Sequence, residues 1–130
     1  MEVQVSKLRD PNFGRAMKKL DQAGNWSSVA SVRKFADISS VVGRAFIDTQ
    51  KDLMKRSAAY ANCDENGTPK VLENGKIDIK EGCEDDFNAM ITSFYSTTKH
   101  LDIPGKLTER DLKGVGITPE DWSAISWLVK

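Results

Sequence analysis

Two cysteines and one histidine are the side chains of this 130-residue chain best suited to nucleophilic, redox or metal chemistry. Cys63 and Cys83 lie at the two ends of a segment that contains two Asn-Gly pairs and doubles back, so their backbones are expected to be near each other. Thiols in a cytoplasm normally stay reduced, which favours two free cysteines at the base of a hairpin. A disulfide between them, formed after release from a cell, is the alternative.

No catalytic or metal-binding constellation accompanies these residues. His100 is the only imidazole, no CxxC or HxxxH spacing occurs, and no nucleophile can be assigned to His100. The segment that starts at Asp64 resembles a calcium loop at first, but its sixth residue is Pro69 where an EF-hand requires glycine. We therefore expect no metal, no cofactor and no enzymatic activity.

Composition favours an ordinary globular chain and argues against two classes of partner. Hydrophobic residues make up 39% and charged residues 29%, and the formal net charge is +0, which disfavours non-specific binding to nucleic acid or to anionic membranes. No apolar stretch is long enough to span a bilayer, and the first 20 residues lack a signal-peptide pattern, so we expect folding in a cytoplasm. The charges divide unevenly: residues 1–62 carry 11 basic and 6 acidic side chains, and residues 63–130 carry 8 and 13. This division favours internal packing of the two halves or head-to-tail association of copies.

A long helix is the strongest local prediction and runs from about Ser27 to Asn62. Apolar residues recur there at steps of three and four, which is the helical period. Gly43 interrupts the middle and predicts a bend or a projecting end. The predicted inner stripe contains Val32, Phe35, Ile38, Val42, Phe46, Thr49, Leu53 and Tyr60.

The next segment predicts a β-hairpin arm. Lys70–Glu73 and Lys76–Ile79 read as two short strands around Asn74-Gly75, a pair favoured in type I′ turns because both central residues need positive φ. A second helix follows the acidic residues 84–86, which complement a helix N-terminus. The two helices are expected to form an antiparallel hairpin connected by the arm.

Shorter elements are predicted near both termini. Residues 2–6 alternate like a strand, Asp10-Pro11 starts a short helix, and Leu101–Ile103 is a candidate strand. Thr118-Pro119-Glu120-Asp121 has the form of a capping box at the start of a last helix. No internal repeat or linker is apparent, so we predict one domain over residues 1–130. The fold class predicted is α+β and mainly helical, with a projecting β-hairpin arm, short terminal strands and a C-terminal helix.

Two features predict contacts with other proteins. An isolated two-stranded hairpin is marginally stable in water, so the arm residues Val71, Leu72, Ile77 and Ile79 are expected to lie on the parent helices or on a neighbouring protein. Trp122 is placed on the inner side of the last helix with Ile125 and Val129. Trp127, five residues after Trp122, falls off that stripe and is either an interface anchor or covered within the monomer.

Three pieces of the chain resemble a group of small uncharacterised proteins encoded by tailed bacteriophages. They are "DENGTPKVLENGKIDIK" after the long helix, "EDDFNAMITSFYSTTKHLDIP", and "LTERDLKGVGITPEDWSAISWLV", so that the resemblance covers about residues 27–130. It implies a two-helix unit interrupted by a DENG…ENG hairpin, followed by a strand and a terminal helix. It implies no activity for particular residues, and the tryptophans and the cysteine pair depart from the pattern.

The resulting functional hypothesis is a non-enzymatic virion structural or assembly protein. It would act in many copies through contacts with itself or with other phage structural proteins, located in the virion or in the host cytoplasm. Strand Val3–Val5 is a candidate for pairing with a sheet edge of a neighbour. The alternative is a phage-encoded inhibitor that binds a host or defence protein through its acidic arm and C-terminal half. An enzyme is the third and least favoured class.

Overall fold

The computed structural model describes residues 1–130 and confirms a mainly helical α+β protein with a two-stranded antiparallel sheet and a C-terminal helix. In chain order the elements are β1 (Glu2–Gln4), α1 (Val5–Leu8), α2 (Pro11–Gln22), α3 (Val29–Ser57), α4 (Glu84–Ser96), β2 (Thr98–His100), α5 (Glu109–Leu112), α6 (Pro119–Ile125) and a 3₁₀ turn (Ser126–Leu128).

The chain divides into two compact units, which are described separately. Unit 1 contains residues 1–46 and 98–130, and unit 2 contains residues 47–97, so that α3 contributes to both. Unit 1 has 13 basic and 9 acidic side chains, a formal charge of +4. Unit 2 has 6 basic and 10 acidic side chains, a formal charge of −4. The expectation of one domain over residues 1–130 stays a prediction.

Local capping signals fix the starts of the shorter helices of unit 1. The Asp10 carboxylate accepts a hydrogen bond from the Asn12 amide at 2.9 Å, and Pro11 occupies the first turn of α2. Thr118 forms the predicted capping box at the start of α6 with Asp121, and Thr108 forms a second one at α5 with Asp111. These helices enclose a single apolar core: Val3, Leu8, Phe13, Ala16, Leu20, Phe35, Ile38, Val42, Ala45, Leu101, Leu107, Leu112, Ile125 and Leu128.

The sheet of unit 1 differs from the predicted strands. β1 pairs with β2 in antiparallel register, with Val3 opposite Lys99. The second strand was predicted at residues 101–103 but lies three residues earlier, because α4 ends at Ser96 rather than near His100. Alternation also stops after β1, where the chain turns into α1 and still buries Val5. β1 is thus already paired within its own chain.

Helix α3 buries a stripe that differs from the predicted one at three positions, one of which, Tyr60, lies beyond the helix end at Ser57 and is half-buried. The buried positions recur at steps of three and four, and they include the small residues Ser31 and Ala45 in place of Val32 and Phe46. Val32 is 44% exposed and Phe46 is 43% exposed. The predicted stripe was therefore wrong at both positions, since the packing places small side chains where the helix approaches its neighbours closely. The complete buried set is Ser31, Phe35, Ile38, Val42, Ala45, Thr49, Leu53 and Ser57.

Unit 2 contains a closed ring of three turns, which we call the turn ring and which spans residues 60–83. Three backbone bonds inside it form a cycle whose donors are eight residues apart: Asn62 N to Asp78 O at 2.9 Å, Lys70 N to Asn62 O at 2.8 Å, and Asp78 N to Lys70 O at 2.9 Å. Three antiparallel bridges follow the same spacing: Cys63 with Pro69, Val71 with Ile77, and Ile79 with Ala61. The segment is thus an eight-residue repeat with approximate threefold symmetry, which contradicts the expectation that the chain has no internal repeat.

The turns of the ring also differ from the predicted hairpin. Gly67 and Gly75 adopt positive φ of 78° and 83°, but no non-glycine residue does, so Asn74-Gly75 is not a type I′ turn. The Gly75 amide bonds the Leu72 carbonyl at 2.9 Å and the Leu72 amide bonds the Lys76 carbonyl at 2.7 Å. This is the pattern of a three-residue loop with one glycine in the left-handed region. The bridges are isolated, so the segment is a ring of turns and not a two-stranded ladder.

Side-chain contacts link the helices of unit 2 on either side of the turn ring. The Arg56 guanidinium lies 5.3 Å from the centre of the Phe94 ring, and the rings of Tyr60 and Phe87 are 6.4 Å apart in an edge-to-face arrangement. α4 begins with acidic residues 84–86, as predicted from the preference of a helix N-terminus for negative charge.

Candidate functional site

Exposed large hydrophobic side chains are concentrated in two places on this protein. Of seven such residues, four lie on α3 and two are adjacent in the turn ring. A contiguous exposed apolar patch indicates an interaction site more strongly than scattered residues do. The residues are Val29, Val32, Phe46 and Ile47 on α3, Val71 and Leu72 in the turn ring, and Trp122 on α6.

The first surface is a groove in unit 1 between α2 and α3, which we call the α2–α3 groove. A cavity near the start of α2 has a volume of about 360 Å³. A larger depression farther along the same two helices has a volume of about 470 Å³ and is bordered by Val29, Val32 and Ala36. The cavity near the start of α2 is lined by Leu8, Arg9, Asp10, Pro11, Phe13, Gly14, Met17, Ser39, Val42, Gly43 and Phe46.

Two small residues lie on the α3 side of the groove, and an aromatic residue lies at one end. Ser39 and Gly43 are one helical turn apart, and a Cβ atom added at Gly43 would meet no atom within 4 Å. The Arg9 guanidinium lies 4.9 Å from the centre of the Phe46 ring and thereby holds that ring at the end of the cavity. The groove is therefore open to a partner's side chains.

Charged side chains of both signs lie at the groove. Arg9 and Asp10 line one of its depressions, and Asp21 lines the other. At about 100° per residue, the exposed Arg33 and Arg44 fall together with Asp37 on another side of α3, where Arg33 and Asp37 line a separate pocket. The charge at the groove itself therefore selects no sign of partner.

The second surface is the apex of the turn ring formed by Val71 and Leu72. Val71 is 56% exposed and Leu72 is 47% exposed. The equivalent residues of the other repeats are Cys63-Asp64 and Ile79-Lys80, each with a charged side chain at the second position. The Asp64 carboxylate accepts hydrogen bonds from the Asn66 amide at 2.9 Å and the Thr68 amide at 3.0 Å. Leu72 cannot cap its turn in this way, so its apolar side chain is not explained by turn formation.

The other predicted arm residues are less accessible. Ile77 and Ile79 are both half-buried, and each makes a bridge within the turn ring. Only Val71 and Leu72 of the four predicted arm residues are thus presented to solvent as large apolar surface.

Trp122 is more exposed than predicted, and Trp127 takes the second of the two environments predicted for it. Trp122 was placed on the inner side of the last helix but is 37% exposed. Trp127 is half-buried, packs against the core of unit 1, and its ring centre is 5.1 Å from that of Phe13. The reason is that α6 ends at Ile125 and continues as a 3₁₀ turn, so a rotation of 100° per residue does not extend to Trp127. The buried Nε1 of Trp127 has no hydrogen-bond partner.

Both cysteines are free thiols in this structure, so the alternative disulfide is not formed. The Cys63 Sγ lies 3.5 Å from the Ala61 carbonyl and 3.6 Å from the Ala58 carbonyl, and it donates to these oxygens instead. Both side chains are half-buried.

His100 is an exposed residue that bridges two carboxylates. Its Nδ1 lies 2.8 Å from Glu2 Oε1, and its Nε2 lies 2.9 Å from Asp102 Oδ1. The hydrogen bond with Glu2, followed by that with Asp102, raises the pKa of His100 above its ordinary value. Both ring nitrogens are therefore engaged with acceptor groups, and neither is directed at a hydroxyl or thiol nucleophile.

Neither the sequence nor the structure assigns a metal site or a membrane span to this chain. No group of three or more His, Cys, Asp or Glu side chains is arranged to hold a metal ion. None of the helices combines the length and the apolar character that a bilayer crossing requires. The exposure of Val32 and Phe46 was not predicted from the sequence, which placed both on the inner stripe of α3. The available signal was that Ser31 and Ala45 continue the three- and four-residue spacing of Ile38 and Val42.

No family model, curated protein or solved structure matches this chain.

Proposed function

We propose that this protein is a non-enzymatic structural or assembly component of a tailed-bacteriophage particle, acting in multiple copies through protein–protein contacts. The observation that carries the proposal is the concentration of six of the seven exposed large hydrophobic residues on the α3 face and the turn-ring apex. Exposed large apolar side chains grouped in this way support contact with a partner. The phage context rests on the resemblance of residues 27–130.

The turn ring is the contact element in this proposal. The sequence predicts that α3 and α4 form an antiparallel pair that presents the segment between them as an arm. The contacts of Arg56 with Phe94 and of Tyr60 with Phe87 support this arrangement. The exposure of Val71 and Leu72 supports the assignment of the apex as the part that touches a neighbour.

Purified particles and purified protein test this function together. Mass spectrometry of particles should detect the chain in many copies, and sedimentation velocity of the isolated protein should show association that increases with concentration. A chain that stays monomeric over the whole concentration range and is absent from particles would contradict the proposal.

An inhibitor of a host or defence protein is the second candidate, and the charge of unit 2 favours it. The net charge of −4 on residues 47–97, together with the exposed apex, is suited to a basic binding site on another protein. A stoichiometric host protein captured by the wild-type chain but not by a Leu72→Asp variant would favour this class over a particle component.

A further inference from the structure

We infer that Glu2, His100 and Asp102 form a pH-sensitive clasp, which holds the N-terminal strand β1 on β2 while His100 is protonated and loosens it when His100 is neutral. The inference goes beyond the proposed function and does not depend on it. It concerns the strand that the sequence nominates for pairing with a neighbouring sheet. In the structure that strand is already paired with β2, and the clasp makes this pairing conditional on pH.

The clasp lies on the exposed face of the two-stranded sheet. Glu2 and His100 are directly opposite each other in the antiparallel register, and the side chains of such a pair lie on the same face. Asp102 follows two residues after His100 and contacts the same ring. Val3 points to the other face and is buried. Strand β1 is therefore held on one face by a core side chain and on the other by the clasp.

The geometry of the clasp requires the protonated ring. The Nδ1 atom of His100 lies 2.8 Å from Glu2 Oε1, and its Nε2 atom lies 2.9 Å from Asp102 Oδ1. Ionised carboxylates only accept hydrogen bonds and a neutral imidazole has a single N–H donor, so only the imidazolium can donate to both. Loss of the proton removes one bond and leaves the other with a neutral donor, which weakens it.

The charged groups around the imidazole act in opposite directions. Hydrogen bonds with Glu2 and then with Asp102 favour the imidazolium, whereas the positive α-amino group of Met1 opposes it. That amino group donates to the Leu101 carbonyl at 2.8 Å. Lys99, the preceding residue of β2, alternates to the opposite face of the sheet. The two carboxylates prevail, so the pKa of the imidazole lies above its ordinary value.

The raised pKa gives the clasp a definite sign. Because the ring binds its proton more tightly when β1 is docked, the clasp contributes fully below the ordinary pKa of about 6.5. Its contribution is lost as the pH rises through the raised pKa. Strand β1 should therefore be docked most firmly in mildly acidic solution and should detach more often in alkaline solution.

Nuclear magnetic resonance can follow the clasp directly, because His100 is the only histidine in the chain. The imidazole signals of wild type should titrate with a midpoint above about pH 6.5. The Leu101 amide bonds the Met1 carbonyl at 2.8 Å, so its hydrogen exchange reports the docking of β1. Its protection factor should fall at least about twofold through that titration. The Lys70 amide, which bonds the Asn62 carbonyl in the turn ring, should keep its protection.

Two variants and a matched control separate the clasp from other titrations. The replaced side chains are exposed, so the variants should remain folded. In His100→Gln the protection of the Leu101 amide should be the same below and above the titration range, because no imidazole remains. In Glu2→Gln the pKa of His100 should fall toward its ordinary value. Glu65→Gln removes the same charge from the turn ring and should change neither the titration nor the protection.

Three results would overturn the inference. An imidazole that titrates at or below its ordinary value in wild type would show that the carboxylates do not hold the proton. A Leu101 protection factor that stays constant through the titration, or that still falls in His100→Gln, would show that this proton does not control the strand. None of these results bears on the proposed function, which is tested by particle composition and by association.

Discussion

Asp111 is the buried charged residue that connects the C-terminal segment of unit 1 to helix α3. Its carboxylate accepts hydrogen bonds from Ser31 Oγ at 2.7 Å and from Lys34 Nζ at 2.8 Å, and it completes the capping box of Thr108. The bond from Lys34 is the main reason why the pKa of Asp111 lies well below its ordinary value. A single side chain therefore explains why a polar residue, Ser31, occupies the inner stripe of α3.

Replacing Asp111 tests this connection. We expect Asp111→Asn to lower the free energy of unfolding by about 2–3 kcal/mol at neutral pH, because a charge-assisted bond is lost and buried donors are left poorly satisfied. Ser31→Ala is the control for the neutral partner and should cost about 1 kcal/mol. Urea unfolding monitored by circular dichroism measures both. A neutral effect of Asp111→Asn would show that the connection contributes nothing to stability.

The same residue sets a pH dependence with a definite sign. Since the pKa of Asp111 is lower in the folded than in the unfolded chain, its contribution is complete above the unfolded value of about 3.9 and is lost as the pH falls below it. Wild type should therefore lose its advantage over Asp111→Asn between about pH 4 and pH 2. Equal advantages at pH 7 and in this acidic range would contradict the assignment.

At the scale of elements, the turn ring separates residues needed for folding from residues available for binding. In the first repeat the Asp64 carboxylate caps its own turn, whereas the equivalent Leu72 exposes an apolar side chain. We expect Leu72→Asp to keep or slightly raise the melting temperature, because the new carboxylate can accept from backbone amides as Asp64 does.

Removal of the side-chain cap in the first repeat provides the control for this prediction. Asp64→Ala removes two hydrogen bonds to the Asn66 and Thr68 amides and should lower stability by about 1 kcal/mol. Thermal unfolding of both variants makes the comparison. A large loss of stability in Leu72→Asp would mean that Leu72 serves the fold of the ring, and the apex would then cease to be a candidate contact.

Elements whose signals are local could be predicted from sequence, and those fixed by packing could not. Pro11 and the capping box at Thr118 start their helices as expected, because a cap requires only neighbouring residues. The inner stripe of α3 depends on Ser31 and Ala45, whose polarity and size gave no apolar signal. The helical period left Trp127 open between an interface anchor and a residue covered within the monomer, because the change to a 3₁₀ turn before it has no periodic signal. The groove combines residues from three helices and was therefore outside the reach of a periodicity argument.

At the scale of the whole molecule, the formal charge of zero conceals two oppositely charged units. A contact between the basic unit 1 of one copy and the acidic unit 2 of another should be weakened by salt, since the Debye length falls from about 10 Å at 0.1 M to about 3 Å at 1 M. The apolar part of the contact is not screened in this way. Association should therefore weaken as salt rises without disappearing.

The dependence on salt can be assigned to named residues. In sedimentation velocity at increasing sodium chloride, the wild-type dissociation constant should rise, and a Glu65→Gln, Glu73→Gln double variant of the turn ring should show weaker association at low salt and a smaller slope. Both side chains are exposed, so the double variant should remain folded. Association that strengthens with salt would mean that like-charged surfaces meet. An unchanged slope in the double variant would place the ionic part of the contact away from the turn ring.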